Sequence, residues 1–200
     1  MRRNTKQLRQ LQLESFTVFN NIHDPEELIN DLDEIGLRLD RDVIVSNNKN
    51  REGSLYALQD DFWFHSDGSF LKIPPRYIAV IPLVVDGGGD IELLDSDLIG
   101  EEKHSLKFFF GKRDESCFFP VHSSTGIFRY RKDYMVGKDV DLQKINRSIE
   151  RIADRSIKIS NLNMHDILLI DNWRMLHRRK GFTGERTIRR LWFSGEVLIQ

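Results

Sequence analysis

Asp166-Ile167-Leu168-Leu169-Ile170-Asp171, a short apolar run closed at both ends by carboxylates, is followed at once by Asn172-Trp173-Arg174-Met175-Leu176-His177. Four apolar residues between polar ends predict a buried strand, and Asp171-Asn172 is a turn-prone pair. His177 therefore stands just past a turn, on a segment that folds back. Past Gly181 and Gly184 the chain resumes as Arg186-Thr187-Ile188-Arg189-Arg190-Leu191-Trp192-Phe193. As a strand, this puts Arg186, Ile188 and Arg190 on one face and Thr187, Arg189 and Leu191 on the other. An inward pair of arginines is costly unless it meets anions. Upstream, Asp61-Phe62-Trp63-Phe64-His65-Ser66-Asp67 is an aromatic-rich run that favours a strand, with His65 and Asp67 on one face and Phe64 and Ser66 on the other.

Brought together, His65, Asp67 and His177 offer two imidazoles and one carboxylate. That set, on one face of an octahedral ion, leaves three positions open and is the ligand set of non-haem Fe(II) oxygenases. A guanidinium beside it, such as Arg186, presents a planar fork suited to a carboxylate and so points to a dicarboxylate cosubstrate. Each feature alone has a plainer meaning. A His-x-Asp triplet marks many solvated strand ends, either histidine is an ordinary half-buried residue in many folds, and an arginine-rich strand suits a solvated sheet edge. It is their order and spacing in one chain that argue for a site.

In that order and spacing the chain resembles the taurine dioxygenase-like branch of the Fe(II)/2-oxoglutarate-dependent oxygenases. The stretch from Asp171 to Trp192 is similar to the C-terminal signature of the γ-butyrobetaine and trimethyllysine hydroxylases, Asp-Asn-x-Arg-x-Leu-His followed by arginines at set offsets. Ser15 to Phe19 followed by Asp24-Pro25-Glu26-Glu27-Leu28 resembles the strand-then-helix opening of these enzymes, and Pro74-Pro75-Arg76-Tyr77-Ile78 the segment after their first iron motif. The resemblance implies His65, Asp67 and His177 as iron ligands and Arg186 as the partner of the distal carboxylate of 2-oxoglutarate. It also implies Arg190 as a contact for an anionic substrate. Fe(II), 2-oxoglutarate and dioxygen would then be the cofactor, cosubstrate and oxidant. The reaction implied is oxidation, by default hydroxylation, of an unactivated C–H bond, with release of succinate and carbon dioxide.

Three departures from the pattern carry expectations of their own. The family often has a Gly-Gly-x-Thr turn whose hydroxyl helps hold the cosubstrate, and here Gly88-Gly89-Asp90-Ile91 puts Ile91 in that place. One hydrogen bond to a charged group, worth roughly 1.5–3 kcal/mol, is then missing or supplied elsewhere. Arg178 replaces the usual glycine after the distal histidine, which reads as a turn residue. The span from Asp67 to His177 is short for the branch, so a reduced lid and an open pocket are expected, with room for a larger or carrier-tethered substrate. Asp67 itself argues against a halogenase.

The rest of the chain fits a mainly β architecture with flanking helices. Short apolar stretches such as Tyr77 to Ile81, broken by Gly, Asn and Asp, suggest a jelly roll, the cupin-like double-stranded β-helix. Asp24 as N-cap and Pro25 at the first turn open a helix with Leu28, Leu32 and Ile35 buried, ended by Gly36. A second helix is expected from about Asp139 to Arg155, with Leu142, Ile145, Ile149 and Ile152 at helical spacing. Gly87 to Gly89 lacks the helix start and lysine of a phosphate loop.

With 200 residues, a single oxygenase domain over residues 1–200 is expected, with strand and helix support at about 1–60. A net charge of -1 asks for no nucleic acid and no membrane surface. Cys117 is the one cysteine; it excludes a disulfide framework and fits a reducing, cytoplasmic setting with a packing role. The basic start from Arg2-Arg3 to Arg9 is too short to read as a transit peptide. The substrate expected is a small amino-acid-like or carboxylate-bearing metabolite, as in specialised biosynthesis. Arg190 and Arg129 are its candidate anion contacts, and surface solubility is the plainer reading of Arg129. Asp90 and Glu92 are candidates to recognise an amine, or simply a charged turn. Two other classes use the same fold: a cosubstrate-free cupin-like metalloenzyme, which has no need of Arg186, and a non-catalytic binding protein.

Overall fold

Strand alternation sorts the apolar residues into three layers, and the layers set the architecture. The computed structural model describes residues 4–47, 59–100, 103, 107–110, 119–133, 135–137 and 143–197. Arg2, Arg3, Cys117, and the Asp139 and Leu142 start of the expected second helix lie outside them. All strand pairs described are antiparallel. The larger sheet has the order β1 (Phe16–Phe19), β10 (Ile167–Asp171), β4 (Tyr77–Gly88), β12 (Phe182–Gly195), β2 (Leu37–Ser46). The smaller has the order β3 (Phe62–His65), β11 (Met175–Arg179), β5 (Ile91–Asp95), β9 (Ile157–Ile159). A third sheet is built of β7 (Phe119–Pro120), β6 (Lys107–Phe110) and β8 (Met135–Gly137).

Ile78, Val80, Leu168, Ile170, Ile188 and Trp192 of the larger sheet pack with Ile91, Leu93 and Met175 of the smaller one. Their odd-even neighbours face outward. Ala79, Ile81, Leu169, Leu191 and Phe193 meet the helices α1 (Thr5–Glu14) and α2 (Pro25–Glu34) through Leu8, Leu11, Leu28 and Leu32. Leu94, Leu176 and Phe64 of the smaller sheet meet α3 (Gln143–Ile152) through Ile145, Ile149 and Ile152. A period of two in the strands and of three to four in the helices thus closes each apolar face against another. One central layer between two sheets, with helices outside, is the sandwich form expected of a jelly roll.

The expected helix at Asp24 forms as read: the Asp24 side chain accepts from the Glu26 N–H at 3.0 Å, and Gly36 takes φ +97° just past its end. The helix α1 was not anticipated. Leu8 and Leu11, three apart, are the buried stripe that signals it, and Ser15 closes it in the left-handed region with its N–H on Leu11 O at 2.9 Å. Within its described part the second expected helix runs from Gln143 to Ile152 and passes into a 3-10 turn at Ala153–Arg155. The glycine segment after Asp86 leads into strand β5, as its lack of phosphate-loop features implies. Pro82 sits inside β4 beyond the end of its pairing with β10, at a register shift opposite Ile188, where a missing N–H costs no ladder bond.

Candidate metal and cosubstrate site

The residues singled out in sequence converge at the layer between the sheets. His177 in β11 lies directly across from His65 at the end of β3, and the two rings stand 4.2 Å apart by centroid. Period two places His177 on the same side as Met175, the inner side. His65 Nε2 is 3.6 Å and His177 Nε2 4.0 Å from Asp67 Oδ1. All three donor atoms lie within 4.8 Å of one another, and all three residues are buried.

Asp67 differs from expectation in one respect. The strand ends at His65, and Asp67 begins a turn rather than continuing the ladder. Gly68 at φ +62° lets the chain turn there, with the Pro75 ring packed where a side chain would stand. What the ladder no longer fixes, Asn172 does. Its Oδ1 accepts from the Asp67 N–H at 2.7 Å, while its Nδ2 donates to Asp67 O at 3.0 Å and Pro75 O at 2.9 Å. Asn172 is held in turn by the Asp171 turn, where Asp171 Oδ1 accepts from the Trp173 N–H and Oδ2 from Arg76. The Asp-Asn pair so prominent in the sequence is the clamp on the carboxylate residue.

The side chain of Asp67 is also gripped. Arg190 donates from Nη1 to Oδ1 at 3.2 Å and Trp192 from Nε1 to Oδ2 at 3.1 Å. Burial pushes its carboxyl up, but Arg190, the two histidines and Trp192 outweigh this and hold it at about 2. Burial lowers His177 to about 4 despite Asp67, with Arg190 and Arg131 adding to the fall. Burial and the neighbouring His177 place His65 well below the usual range. Both imidazoles are therefore neutral near pH 7, the form that binds a metal. The Nδ1–H of His65 donates to Trp63 O at 3.1 Å, which leaves Nε2 as the lone-pair nitrogen on the side of Asp67. Two neutral imidazoles and one ionised carboxylate, with their donor atoms gathered around a shared point, fit a divalent ion.

Arg186, Ile188 and Arg190 share a face of β12, as read, and line a cavity of about 60 Å³ with His65 and His177. Arg186 also borders a larger cavity of about 310 Å³ beside Gly87, Gly88, Gly89 and Asp90. Among the described residues no carboxylate pairs with Arg186. Burial, then Arg179 and Arg190, lowers its guanidinium to about 10. Gly89, at φ +79°, makes room for it: a Cβ there would stand 3.1 Å from Arg186 Nε. Ile91 is buried where the family has a hydroxyl, and it borders both cavities.

Other expectations fare differently. Arg190 is bonded to Asp67 and also lines the smaller cavity. Arg129 is 3% exposed, which removes the surface reading. Glu92 is buried and paired with Arg178. Asp90 accepts from Ser160 Oγ at the rim of the larger cavity. Sequence reasoning gave no role to Trp192 or Arg131. Trp192 continues the alternation Arg186, Ile188, Arg190, a signal that was available. Arg131 bridges His65 by backbone and pairs with Asp133, which nothing local predicts.

No protein-family model matches the sequence, and no curated protein matches it by sequence. Solved structures do match in three dimensions. The non-haem iron oxygenase OrfP in complex with iron superimposes with a TM-score of 0.67 at 16% identity, over 94% of this chain and 79% of OrfP. A taurine dioxygenase from Burkholderia xenovorans gives 0.63 at 12% identity over 96% and 82%. This chain has the fold of the taurine dioxygenase-like oxygenases. Asparagine oxygenase AsnO also matches, with a TM-score of 0.57 at 14% identity over 74% of this chain, which spans only 54% of AsnO. Among the described residues no helix is long and apolar enough to cross a membrane.

Proposed function

We propose that residues 1–200 form a single Fe(II)- and 2-oxoglutarate-dependent dioxygenase domain. The observation that carries this is the convergence of His65, Asp67 and His177 beside Arg186, a half-buried guanidinium with no carboxylate partner among the described residues. His65, Asp67 and His177 would hold the ion on one side, leaving its other positions for 2-oxoglutarate and dioxygen. Arg186 would hold the far carboxylate of 2-oxoglutarate with its planar fork. When bound, the ion and 2-oxoglutarate supply the oxidising chemistry: dioxygen is consumed, 2-oxoglutarate becomes succinate and carbon dioxide, and a substrate C–H bond is oxidised.

The chain's own residues orient and shield. Arg190 and Trp192 fix the Asp67 carboxylate, and Trp63 O fixes the His65 tautomer. Val80, Ile91 and Ile188 give the pocket an apolar wall. Ile91 gives no hydroxyl to the cosubstrate, so Arg186 carries more of its hold. The substrate class supported is a small amino-acid-like or carboxylate-bearing metabolite. OrfP has been solved with (3S)-hydroxy-L-Arg, which agrees with this class. A carrier-tethered metabolite is the alternative that the short lid span favours, and the lone cysteine agrees with a cytoplasmic protein.

The test is anaerobic visible spectroscopy of the protein with Fe(II) and 2-oxoglutarate. A weak charge-transfer band is expected in wild type, absent in His177→Ala, and lost or shifted to far higher 2-oxoglutarate concentration in Arg186→Ala. Iron binding without the band in wild type would put the cosubstrate-free metalloenzyme ahead. No iron binding would make the chain a binding protein on this fold.

A further inference from the structure

The arginines close to the triad or to the segments that carry it are separated by their partners. Arg190 bonds Asp67, Arg131 pairs with Asp133, and Arg179 donates to Lys180 O. Arg186 lines both cavities and is the proposed partner of the cosubstrate carboxylate. Arg129 is different. It is 3% exposed, yet its Nε and Nη1 are buried with no hydrogen-bond partner among the described residues. Its contacts are one bond from Nη2 to Lys72 O at 2.8 Å and the ring of Phe119, 5.1 Å from the guanidinium carbon. Burial alone lowers it to about 10, with no carboxylate acting on it.

Its position follows from strand register. The Ser66 N–H bonds Tyr130 O at 2.8 Å, the Tyr130 N–H bonds Ser66 Oγ at 3.0 Å, and Arg131 bridges His65. Arg129 is therefore the next residue along, against the turn that begins at Asp67, and Lys72 lies in the continuation of that turn. Phe128 and Tyr130 point to the α3 layer, so alternation directs Arg129 away from it. A guanidinium has five N–H donors, and only one is used here. The second Nη2 proton leaves a planar fork open with either Nε or Nη1. A buried cation held by one carbonyl is an unfavourable state unless an anion completes it.

We propose that Arg129 is the receptor for a carboxylate of the substrate, held at the turn that carries Asp67. The inference rests on the oxygenase reading for the word substrate. It narrows the class to metabolites bearing a free carboxylate besides the oxidised position, and it frees Arg190 to serve Asp67 alone.

The probe is propionate against its isosteric neutral amide, propionamide, at matched ionic strength, read as the shift in melting temperature of the full chain without iron. Wild type is expected to be stabilised by propionate and not by propionamide. In Arg186→Met the difference should persist. In Arg129→Met it should vanish, with at least a roughly tenfold loss of apparent affinity, and the ligand-free protein should melt no lower than wild type. Should Arg129→Met fail to fold, Arg129→Lys, which keeps the charge and loses the fork, should reduce the affinity several-fold. A wild type that does not distinguish the two compounds overturns the proposal. So does a difference that survives at wild-type affinity in the Arg129 variants; if it then disappears in Arg186→Met, the carboxylate goes to the cosubstrate arginine and the oxygenase reading stands. Because the assay needs no iron, a missing charge-transfer band would sink the oxygenase reading without deciding this one.

Discussion

The two faces of β12 put the same side chain to opposite uses. Facing the helices, Arg189 is clasped by Asp42 and Glu26, and those carboxylates raise its pKa. Facing the other sheet, Arg186 stands by Arg179 and Arg190 with no carboxylate among the described residues, and burial lowers its pKa to about 10. Leu191 and Phe193 finish the first face as core, whereas Arg190 and Trp192 finish the second as a grip on Asp67. An arginine whose charge is already met belongs to the scaffold. One whose charge is left open inside the protein marks where a ligand is to arrive.

The comparison breaks hardest at Asp67. Asp67→Ala removes the acceptor of both Arg190 and Trp192 and one of the three proposed metal donors. Breaking a buried ion pair costs about 3–5 kcal/mol, or a fall in melting temperature of about 6–20 °C for a chain of this length. Thermal denaturation together with Mn(II) titration should show both this fall and the loss of metal binding. Retained metal binding would mean that the two histidines hold the ion with some other donor.

Trp192→Phe is the gentler cut on the same face. The ring still packs among Ile78, Val80 and Ile188, but the bond to Asp67 Oδ2 is gone. Removing an outer hydrogen bond of a ligating carboxylate commonly costs about 10–100-fold in metal affinity, while the fold should lose only about 1 kcal/mol. A Mn(II) titration that matches wild type would show that Arg190 and Asn172 fix the carboxylate alone.

Sequence carried much of this arrangement because alternation in strands is strict. Arg186, Ile188 and Arg190 lie on one face as read, His177 returns past the Asp171-Asn172 turn, and the apolar runs of β4 and β10 pair in the centre of a sheet. What escaped was contact across long sequence separations. The clamp of Asn172 on Asp67 and the bond of Trp192 to the same carboxylate join segments that no local pattern relates. Arg129 was open to either a solvent or a pocket reading, because burial belongs to the folded chain. The end of β3 at His65 was missed for a related reason: strand propensity extends through Ser66, but side-chain bonds from Asn172 take over the Asp67 backbone.

The smallest effect is expected on the face turned to the helices. Arg189→Met breaks contacts with Asp42 and Glu26, whose side chains are 40% and 59% exposed. Pairs of that kind contribute about 0–1 kcal/mol, and salt weakens them further. The melting temperature should therefore fall by no more than about 8 °C for the two pairs together, by less at high ionic strength, and the methionine stem should keep most of the packing over β2. Metal and 2-oxoglutarate titrations of this variant should overlay those of wild type, because alternation puts position 189 on the far side of the sheet from the triad. A change in 2-oxoglutarate affinity here would mean that the charges on the two faces of β12 are coupled through the strand, and that the open charge at Arg186 depends on the satisfied one at Arg189.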